Sequence, residues 1–188
     1  MLPAFKRKPQ TGNILIAEPF LHDKSFKRSV IWLTNHDENG SRGFILNKQT
    51  NIKLNKLIDD FPMFDIPVFY GGPVETDSLF FIHTAGKLIE GAEHFLPGYY
   101  VGGNFDTLKF LIDTKQLKTY QVKFFIGYSG WVANQLESEM NELTWMVTDF
   151  KNELGINADN ETLWSNYVKG MGKDYTLVAN SPEYPSLN

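Results

Sequence analysis

The sequence predicts an α+β fold, built as a mostly antiparallel sheet or a partly open β-barrel that is flanked by helices. Short apolar runs rich in β-branched and aromatic residues follow one another along the chain. Segments with helical periodicity interrupt and follow these runs without regular alternation, which argues against a parallel doubly wound sheet. A chain of 188 residues with 42% hydrophobic residues is long enough to bury one sizeable core.

The strand candidates are apolar segments bounded by Gly, Pro, Asn or Asp. Between the second and the third lies a dense turn cluster, residues 35–41, that contains Asn39-Gly40. Asn and Gly tolerate positive φ, so this pair between two apolar runs predicts a β-hairpin. The predicted strands cover residues 13–17, 26–34, 43–47, 68–70, 79–83, 99–101, 121–128 and 143–148.

Apolar stripes at spacings of three and four predict the helices. One stripe follows Asn104, which can cap the first turn, and another follows Ser129-Gly130, where Ser129 would be the cap. A short stripe ends before Pro62, and a final one follows Asn160. The stripes are Leu54/Leu57/Ile58/Phe61, Phe105/Leu108/Leu111/Ile112, Val132/Leu136/Met140 and Leu163/Trp164/Tyr167/Val168/Met171.

One domain spanning residues 12–180 is expected, because the chain shows no repeat, low-complexity segment or interdomain linker. Residues 1–11 are predicted to form a mobile N-terminal tail, and residues 181–188 a C-terminal tail. No secretion signal is visible, and no apolar run approaches the roughly 18 residues of a membrane-spanning helix. These observations predict a cytoplasmic protein that does not associate with a membrane.

The residue inventory excludes several kinds of chemistry. The absence of cysteine excludes disulfides, cysteine nucleophiles, iron–sulfur clusters and cysteine-ligated zinc. The four histidines form no His-x-x-x-His pair, and the chain contains neither G-x-G-x-x-G nor G-x-x-x-x-G-K-[ST]. The glycine turn Gly71-Gly72-Pro73 lacks the helix start that would cradle a phosphate, so we expect it to be a structural turn. We therefore expect no metal ion and no cofactor.

The net charge of −4 makes the chain a poor general binder of nucleic acid, because affinity for a polyanion comes from neutralising phosphates. The charge is unevenly distributed: residues 1–60 carry +4 and residues 61–188 carry −8. Two solvated surface regions are the favoured interpretation of this split, and a dipolar surface that steers an asymmetric partner or a self-association is the sharper alternative. A weak nucleic-acid contact through the basic N-terminal region is the alternative. The basic residues concerned are Lys6, Arg7, Lys8, Lys24, Lys27 and Arg28.

The peptide Gly127-Tyr128-Ser129-Gly130-Trp131 gives the sharpest enzyme hypothesis. It lies where a strand is predicted to pass into a helix, a setting in which a strained turn can expose a nucleophilic serine. The G-x-S-x-G pattern fails because Trp131 occupies its last position, and every histidine precedes Ser129. His83, with an acidic partner such as Asp77, is the candidate base. A helix cap at Ser129 is the favoured interpretation, so we expect no catalytic residue.

Several segments, taken in order, resemble the AlgH/YqgE family of small bacterial proteins. The matching segments are residues 12–19 (GNILIAEP), 26–31 (FKRSVI), 36–47 (HDENGSRGFILN), 68–74 (VFYGGPV), 127–131 (GYSGW) and 135–137 (QLE). The resemblance covers roughly residues 12–170. Glu18 stands where Met is common in the family, Lys48 where Arg is common, and Ser129 where Ala is common.

The resemblance implies an α+β fold with a barrel-like sheet, and it implies no established enzymatic activity. It also carries a transcriptional-regulator label, although no DNA-reading element is apparent here. Our first hypothesis is a non-enzymatic cytoplasmic interaction or regulatory protein with an unidentified protein partner. The alternatives are a serine-dependent hydrolase using Ser129 and a weak nucleic-acid contact. The candidate partner- or ligand-binding residues are Gly71, Gly72, Pro73, Ser129, Gly130, Trp131, Lys27 and Arg28.

Overall fold

The computed structural model describes residue 4, residues 6–58, residue 61, residues 66–152, residue 156 and residues 159–180. The predicted C-terminal tail, residues 181–188, lies outside the described residues. The strands are β1 (Ile14–Ala17), β2 (Val30–Asp37), β3 (Gly40–Ile45), β4 (Gln49–Lys53), β5 (Pro67–Tyr70), β6 (Val74–His83), β7 (Glu93–Leu96), β8 (Tyr99–Val101), β9 (Val122–Val132) and β10 (Trp145–Thr148). The helices are α1 (Phe105–Asp113), α2 (Gln135–Asn141), α3 (Asn160–Lys169) and α4 (Thr176–Ala179). The predicted α+β class, with a mostly antiparallel sheet, is confirmed.

Strand β9 organises the sheet because it pairs with three other strands. The hydrogen-bonded order is β10-β1-β2-β3-β9-β6-β8-β7, and β4 joins through β5, which also pairs with β9. The first half of β9 runs parallel to β5 and antiparallel to β6. Its second half pairs with β3, where Ser129 lies opposite Gly43. Among the described residues, every strand pairing except that of β5 with β9 is antiparallel.

The sheet curls until β7, the last strand of the hydrogen-bonded order, lies against β2. The rings of Trp32 on β2 and Phe95 on β7 are 4.9 Å apart, centroid to centroid. The guanidinium of Arg42 on β3 also contacts the carboxylate of Glu93 on β7. Side-chain packing thus brings the β7 end of the sheet onto β2 and β3, which gives a partly open barrel.

Alternate residues of the strands face opposite sides of the sheet, as their period of two requires. Phe125 packs into the barrel interior together with Trp32 and Phe44, and α3 covers this cluster. Phe124 faces the other side, where Leu108 and other apolar residues of α1 pack against it. Further along the outer face, α2 covers an apolar patch that includes Trp131 and Trp145.

A crossing of two glycine-containing segments allows β9 to leave β5 and join β3. A Cβ atom at Gly71 would lie 2.2 Å from the carbonyl oxygen of Gly127, and one at Gly72 would lie 2.3 Å from the backbone of Tyr128. Gly72 has a φ of 151° and Gly127 a φ of 65°, a region that side-chain-bearing residues rarely adopt. The Gly71 N–H donates to the Ile126 carbonyl oxygen at 2.9 Å, which ties the two segments together.

The predicted hairpin at residues 35–41 is confirmed, with Glu38-Asn39 as its two-residue turn between β2 and β3. The helix predicted after Asn104 is also confirmed, since the Asn104 side chain accepts a hydrogen bond from the Thr107 N–H. For the final helix, Asp159 provides the cap instead of Asn160.

The prediction that Ser129 caps a helix is wrong. Strand β9 continues through Ser129 to Val132, and α2 begins only at Gln135. The predicted start of this helix was too early because Val132, which fits its apolar spacing, belongs to the end of the strand.

Strands β4 and β7 were not predicted, and the physical reason is their polarity. Residues Gln49–Lys53 of β4 are largely exposed and lack apolar alternation. The strand β7 begins with two polar residues, Glu93 and His94, which lie outside the predicted strands. Both strands exist because a neighbouring strand supplies backbone hydrogen-bond partners.

We expect Gly72→Ala to lower the free energy of unfolding by about 3 kcal/mol or more, because it combines positive-φ strain with a backbone clash. Gly98→Ala is the matched control, since Gly98 has a φ of 83° and its Cβ would meet nothing within 4 Å. The control should cost only about 1–2 kcal/mol of strain. Urea unfolding curves compare the two variants, and equal losses would contradict the importance of the crossing.

Candidate functional site

An open groove with a volume of about 590 Å³ lies at one end of the barrel, and we call it the mouth groove. It is bordered by the tips of β2 and β3, the start of β6 and β7, and the end of β9. The side chains that give it chemical character belong to Asp37, Arg42, Glu93, Tyr128 and Val132. The mouth of a barrel is a common place for a ligand, because strand ends converge there.

The charged centre of the mouth groove is the ion pair between Arg42 and Glu93. Arg42 alternates with Phe44 along β3, so it faces the barrel interior at the open end. Its Nη2 donates to Glu93 Oε2 at 2.7 Å, while its buried Nε has no hydrogen-bond partner among the described groups. The Glu93 side chain is 68% exposed, so this pair contributes at most about 1 kcal/mol and can open readily.

Asp37 supplies a second fixed negative charge at the rim of the groove. Its carboxylate accepts hydrogen bonds from the Asn35 side chain at 3.1 Å and from the Asn39 N–H at 2.8 Å. The Asn35 contact, followed by the Asn39 N–H, lowers the pKa of Asp37 below its ordinary value. The groove therefore offers two carboxylates and one guanidinium to a polar ligand.

The structure brings the two glycine-containing candidate segments together as the packed crossing described above. Ser129 is fully buried, and its Oγ donates to the Gly71 carbonyl oxygen at 3.0 Å. Gly72 is buried and Pro73 is exposed. Gly130 and Trp131 border the mouth groove, although the Trp131 side chain is largely buried against α2.

The structure does not bring His83 to Ser129. His83 pairs with Val122, seven residues before Ser129 on β9, which corresponds to about 20 Å of extended strand. Its Nδ1 accepts a hydrogen bond from the Ala85 N–H, and its Nε2 lies 3.1 Å from the Gly102 carbonyl oxygen. This arrangement suits the neutral ring with its proton on Nε2. Burial lowers the pKa of His83 and so favours the same neutral form.

The basic residues singled out in the sequence lie away from the mouth groove. The guanidinium carbon of Arg28 lies 4.7 Å from the centroid of the Trp164 ring, so this side chain packs over α3, and Lys27 beside it is half-buried. Near the N-terminus, Arg7 forms an ion pair with Asp149. This hydrogen-bonded pair raises the pKa of Arg7 and lowers that of Asp149. Because Arg7 belongs to the basic region 1–60 and Asp149 to the acidic region 61–188, this pair neutralises part of the charge difference between the two regions.

One group of polar residues was not identified from the sequence, because the hairpin and α2 bring its members together only in the folded protein. His36 and Ser41 are cross-strand partners, and His36 Nδ1 lies 2.7 Å from Ser41 Oγ. On the other side of the ring, His36 Nε2 lies 3.6 Å from Glu137 Oε1. The sequence signal available was the hairpin itself, whose two-residue turn places positions 36 and 41 opposite each other.

A second missed residue is Lys123, which is 4% exposed and points into the protein from β9. Its Nζ donates to the Ile156 carbonyl oxygen at 3.1 Å and lies 3.6 Å from the centroid of the Phe69 ring. Burial lowers the pKa of Lys123 to about 7. The signal in the sequence was a single lysine between Val122 and Phe124 in an otherwise apolar strand.

Within the part of the chain that the structure describes, no group of three or more His, Asp or Glu residues is placed to hold a metal ion. None of the described helices has the length and apolar character needed to cross a membrane.

We expect Lys123→Met to be more stable than the wild type at neutral pH and to lose this advantage as the pH rises. The pKa is about 7 in the folded protein and about 10.5 in an unfolded chain, so folding releases a proton between these values. The cost of burying this amine therefore fades as the pH rises from 7 to 10. The difference in free energy of unfolding between variant and wild type should shrink by on the order of 3 kcal/mol across this range. Urea unfolding at several pH values measures it, and a constant difference would contradict the lowered pKa.

Comparison with known proteins assigns most of the chain to one family. The family model described as AlgH-like matches residues 14–176. A UPF0301 protein of Chlorobaculum parvum is 42% identical over 179 residues, which cover 95% of this chain and 96% of the relative. A UPF0301 protein of Bacteroides thetaiotaomicron is 40% identical, with 96% of this chain and 92% of the relative covered.

Solved structures show the same fold at lower sequence identity. The solution structure of the AlgH protein from Pseudomonas aeruginosa has a TM-score of 0.74 at 24% identity, covering 94% of this chain and 97% of that one. The crystal structure of protein DIP2367 from Corynebacterium diphtheriae also has a TM-score of 0.74, at 16% identity, covering 93% and 94% of the two chains. The family match and the relatives at about 40% identity show that the chain belongs to the AlgH-like family.

Proposed function

We propose that the protein is a non-enzymatic cytoplasmic interaction or regulatory protein that binds a protein partner at the mouth groove. The observation that carries this proposal is the open groove at the end of the barrel, spanned by the Arg42–Glu93 ion pair. The regulatory role that the resemblance implies would act through this protein contact rather than through the reading of DNA bases.

The chemistry of the groove suits a polypeptide segment that carries both charges and an apolar side chain. A partner carboxylate can replace Glu93 at Arg42, whose Nε lacks a hydrogen-bond partner among the described groups. The released Glu93 and Asp37 can then pair with a basic side chain. Val132, which is 72% exposed at the rim, offers an apolar contact. Such a mixture gives specificity through charge complementarity.

We expect Val132→Arg to reduce strongly the capture of the partner from an extract of cells that carry this protein. Val132 is already exposed, so the long cationic side chain obstructs the groove without disturbing the core. Leu88→Arg is the matched control, because Leu88 is 65% exposed and does not border the groove. Affinity capture followed by quantitative mass spectrometry compares the two variants with the wild type.

The control variant should retain the partner at the wild-type level, while Val132→Arg should lose it at least about tenfold. Equal capture by both variants would mean that the mouth groove is not the binding surface. Arg42→Gln provides an independent check, because it keeps a polar side chain but removes the charge that a partner carboxylate would need.

A serine-dependent hydrolase remains the second candidate, and one arrangement favours it. Ser129 donates its hydroxyl to a backbone carbonyl inside the crossing, whereas Ser41 contacts the ring of His36, which in turn faces Glu137. A serine, a histidine and a carboxylate in this order are the groups that activate a nucleophile. In the hydrolase hypothesis, Ser41 therefore replaces Ser129 as the candidate nucleophile.

We expect a fluorophosphonate probe to leave both serines unlabelled in the folded protein if binding is the function. Ser129→Ala should lower the free energy of unfolding by about 1 kcal/mol through loss of its hydrogen bond, without changing labelling. Labelling that disappears in Ser41→Ala but persists in Ser129→Ala would instead identify Ser41 as an activated nucleophile and contradict the non-enzymatic proposal.

Nucleic-acid contact through Lys6, Arg7 and Lys8 stays an alternative to a protein partner. The ion pair between Arg7 and Asp149 weakens it, because a phosphate would have to compete with this carboxylate.

A further inference from the structure

The buried amine of Lys123 takes no part in the sheet or in the mouth groove. Its Nζ lies 3.1 Å from the Ile156 carbonyl oxygen and 3.5 Å from Asn160 Oδ1. Both oxygens belong to uncharged groups, so they can accept a hydrogen bond from an ammonium or from a neutral amine. The Nζ also lies 3.6 Å from the centroid of the Phe69 ring. A neutral amine that donates two hydrogen bonds still has a lone pair with which it can bind a ligand.

The elements around Lys123 supply no compensating negative charge within the described residues. Ile82 of β6 lies opposite Lys123, and the next residue, His83, is hydrogen-bonded elsewhere. Asp159 and Glu161, at the start of α3, are exposed. Among the described ion pairs, none places a carboxylate within 4.0 Å of this amine. Burial without a counter-charge disfavours the ammonium and lowers the pKa of Lys123 to about 7.

A cavity of about 250 Å³ opens beside this amine, between β5, the start of β9 and the start of α3. Its lining is mixed: Ile66, Pro67 and Val122 are apolar, whereas Gln49 and Thr119 are polar. The volume lies below the range of about 300–1,000 Å³ that drug-sized ligands occupy, so the cavity suits a molecule of a few carbon atoms. Lys123 lines this space, and a lysine that is desolvated in a pocket is the group with which proteins form imines.

We propose that Lys123 is the attachment site of a small aldehyde or ketone, which it holds as an imine in this cavity. The nitrogen lone pair adds to the carbonyl carbon, and a proton passes from nitrogen to the former carbonyl oxygen. The resulting carbinolamine loses water, which leaves a carbon–nitrogen double bond. Addition of water reverses the reaction and releases the carbonyl compound, so no oxidant or further reactant is required.

The test is reductive trapping of the full-length protein with butanal and sodium cyanoborohydride at pH 7, followed by peptide mapping with mass spectrometry. The reductant converts an imine into a stable secondary amine on the lysine that formed it. An ordinary lysine amine is almost entirely protonated at this pH, so exposed lysines react slowly. We expect Lys123 to be modified at least about tenfold faster than Lys87 and Lys118, which are exposed.

Modification of Lys123 at the rate of Lys87 and Lys118, or more slowly, would overturn the proposal. Unfolding in concentrated urea should abolish the preference, because it removes both the cavity and the burial. Lys123→Met should lose the modification at this position while the exposed lysines keep theirs. If this variant does not fold, the comparison of native with urea-unfolded wild type still decides the question.

Discussion

The close approach of the backbone at Gly71-Gly72 to that of Gly127-Tyr128 is the constraint on which the other features depend. A single methyl group at Gly71 or Gly72 would lie within 2.3 Å of the opposing backbone. This approach lets one strand, β9, pair with β5 and β6 in its first half and with β3 in its second. Without the crossing, β3 and β6 would not meet at one end of a barrel, and the mouth groove between them would not form.

The two ends of β9 create two different chemical environments. At its C-terminal end, Gly130 and Val132 border an open groove in which charges remain in contact with water. Near its N-terminal end, Lys123 lies in the core, where desolvation outweighs its hydrogen bonds to neutral oxygens. The first environment suits reversible recognition by charge complementarity, and the second suits chemistry that requires a neutral amine. One strand therefore positions both the proposed binding surface and the proposed attachment site.

Buried polar groups explain why the candidates drawn from the sequence differ from those drawn from the structure. Ser129 and His83 have side chains of the right type for catalysis, but both are buried and hydrogen-bonded to the backbone. Their hydrogen bonds stabilise the crossing and the β6–β8 region. His36 looked like a turn residue, yet the hairpin places it opposite Ser41 and α2 brings Glu137 to its other side. Residue type thus predicts chemistry only once the partners of each polar atom are known.

The sequence by itself determined the α+β class, the hairpin at residues 35–41, the capped helix after Asn104 and the family resemblance. These features are encoded locally, in turn residues, in side-chain periodicity and in ordered motifs. Only the tertiary structure decided where β9 ends, that polar β4 forms a strand, and which side chains meet at the mouth groove. The physical reason is that these properties come from pairing and packing between residues far apart in the chain. The lowered pKa of Lys123 also depends on the tertiary structure, because it is caused by the surrounding atoms that exclude water from the amine.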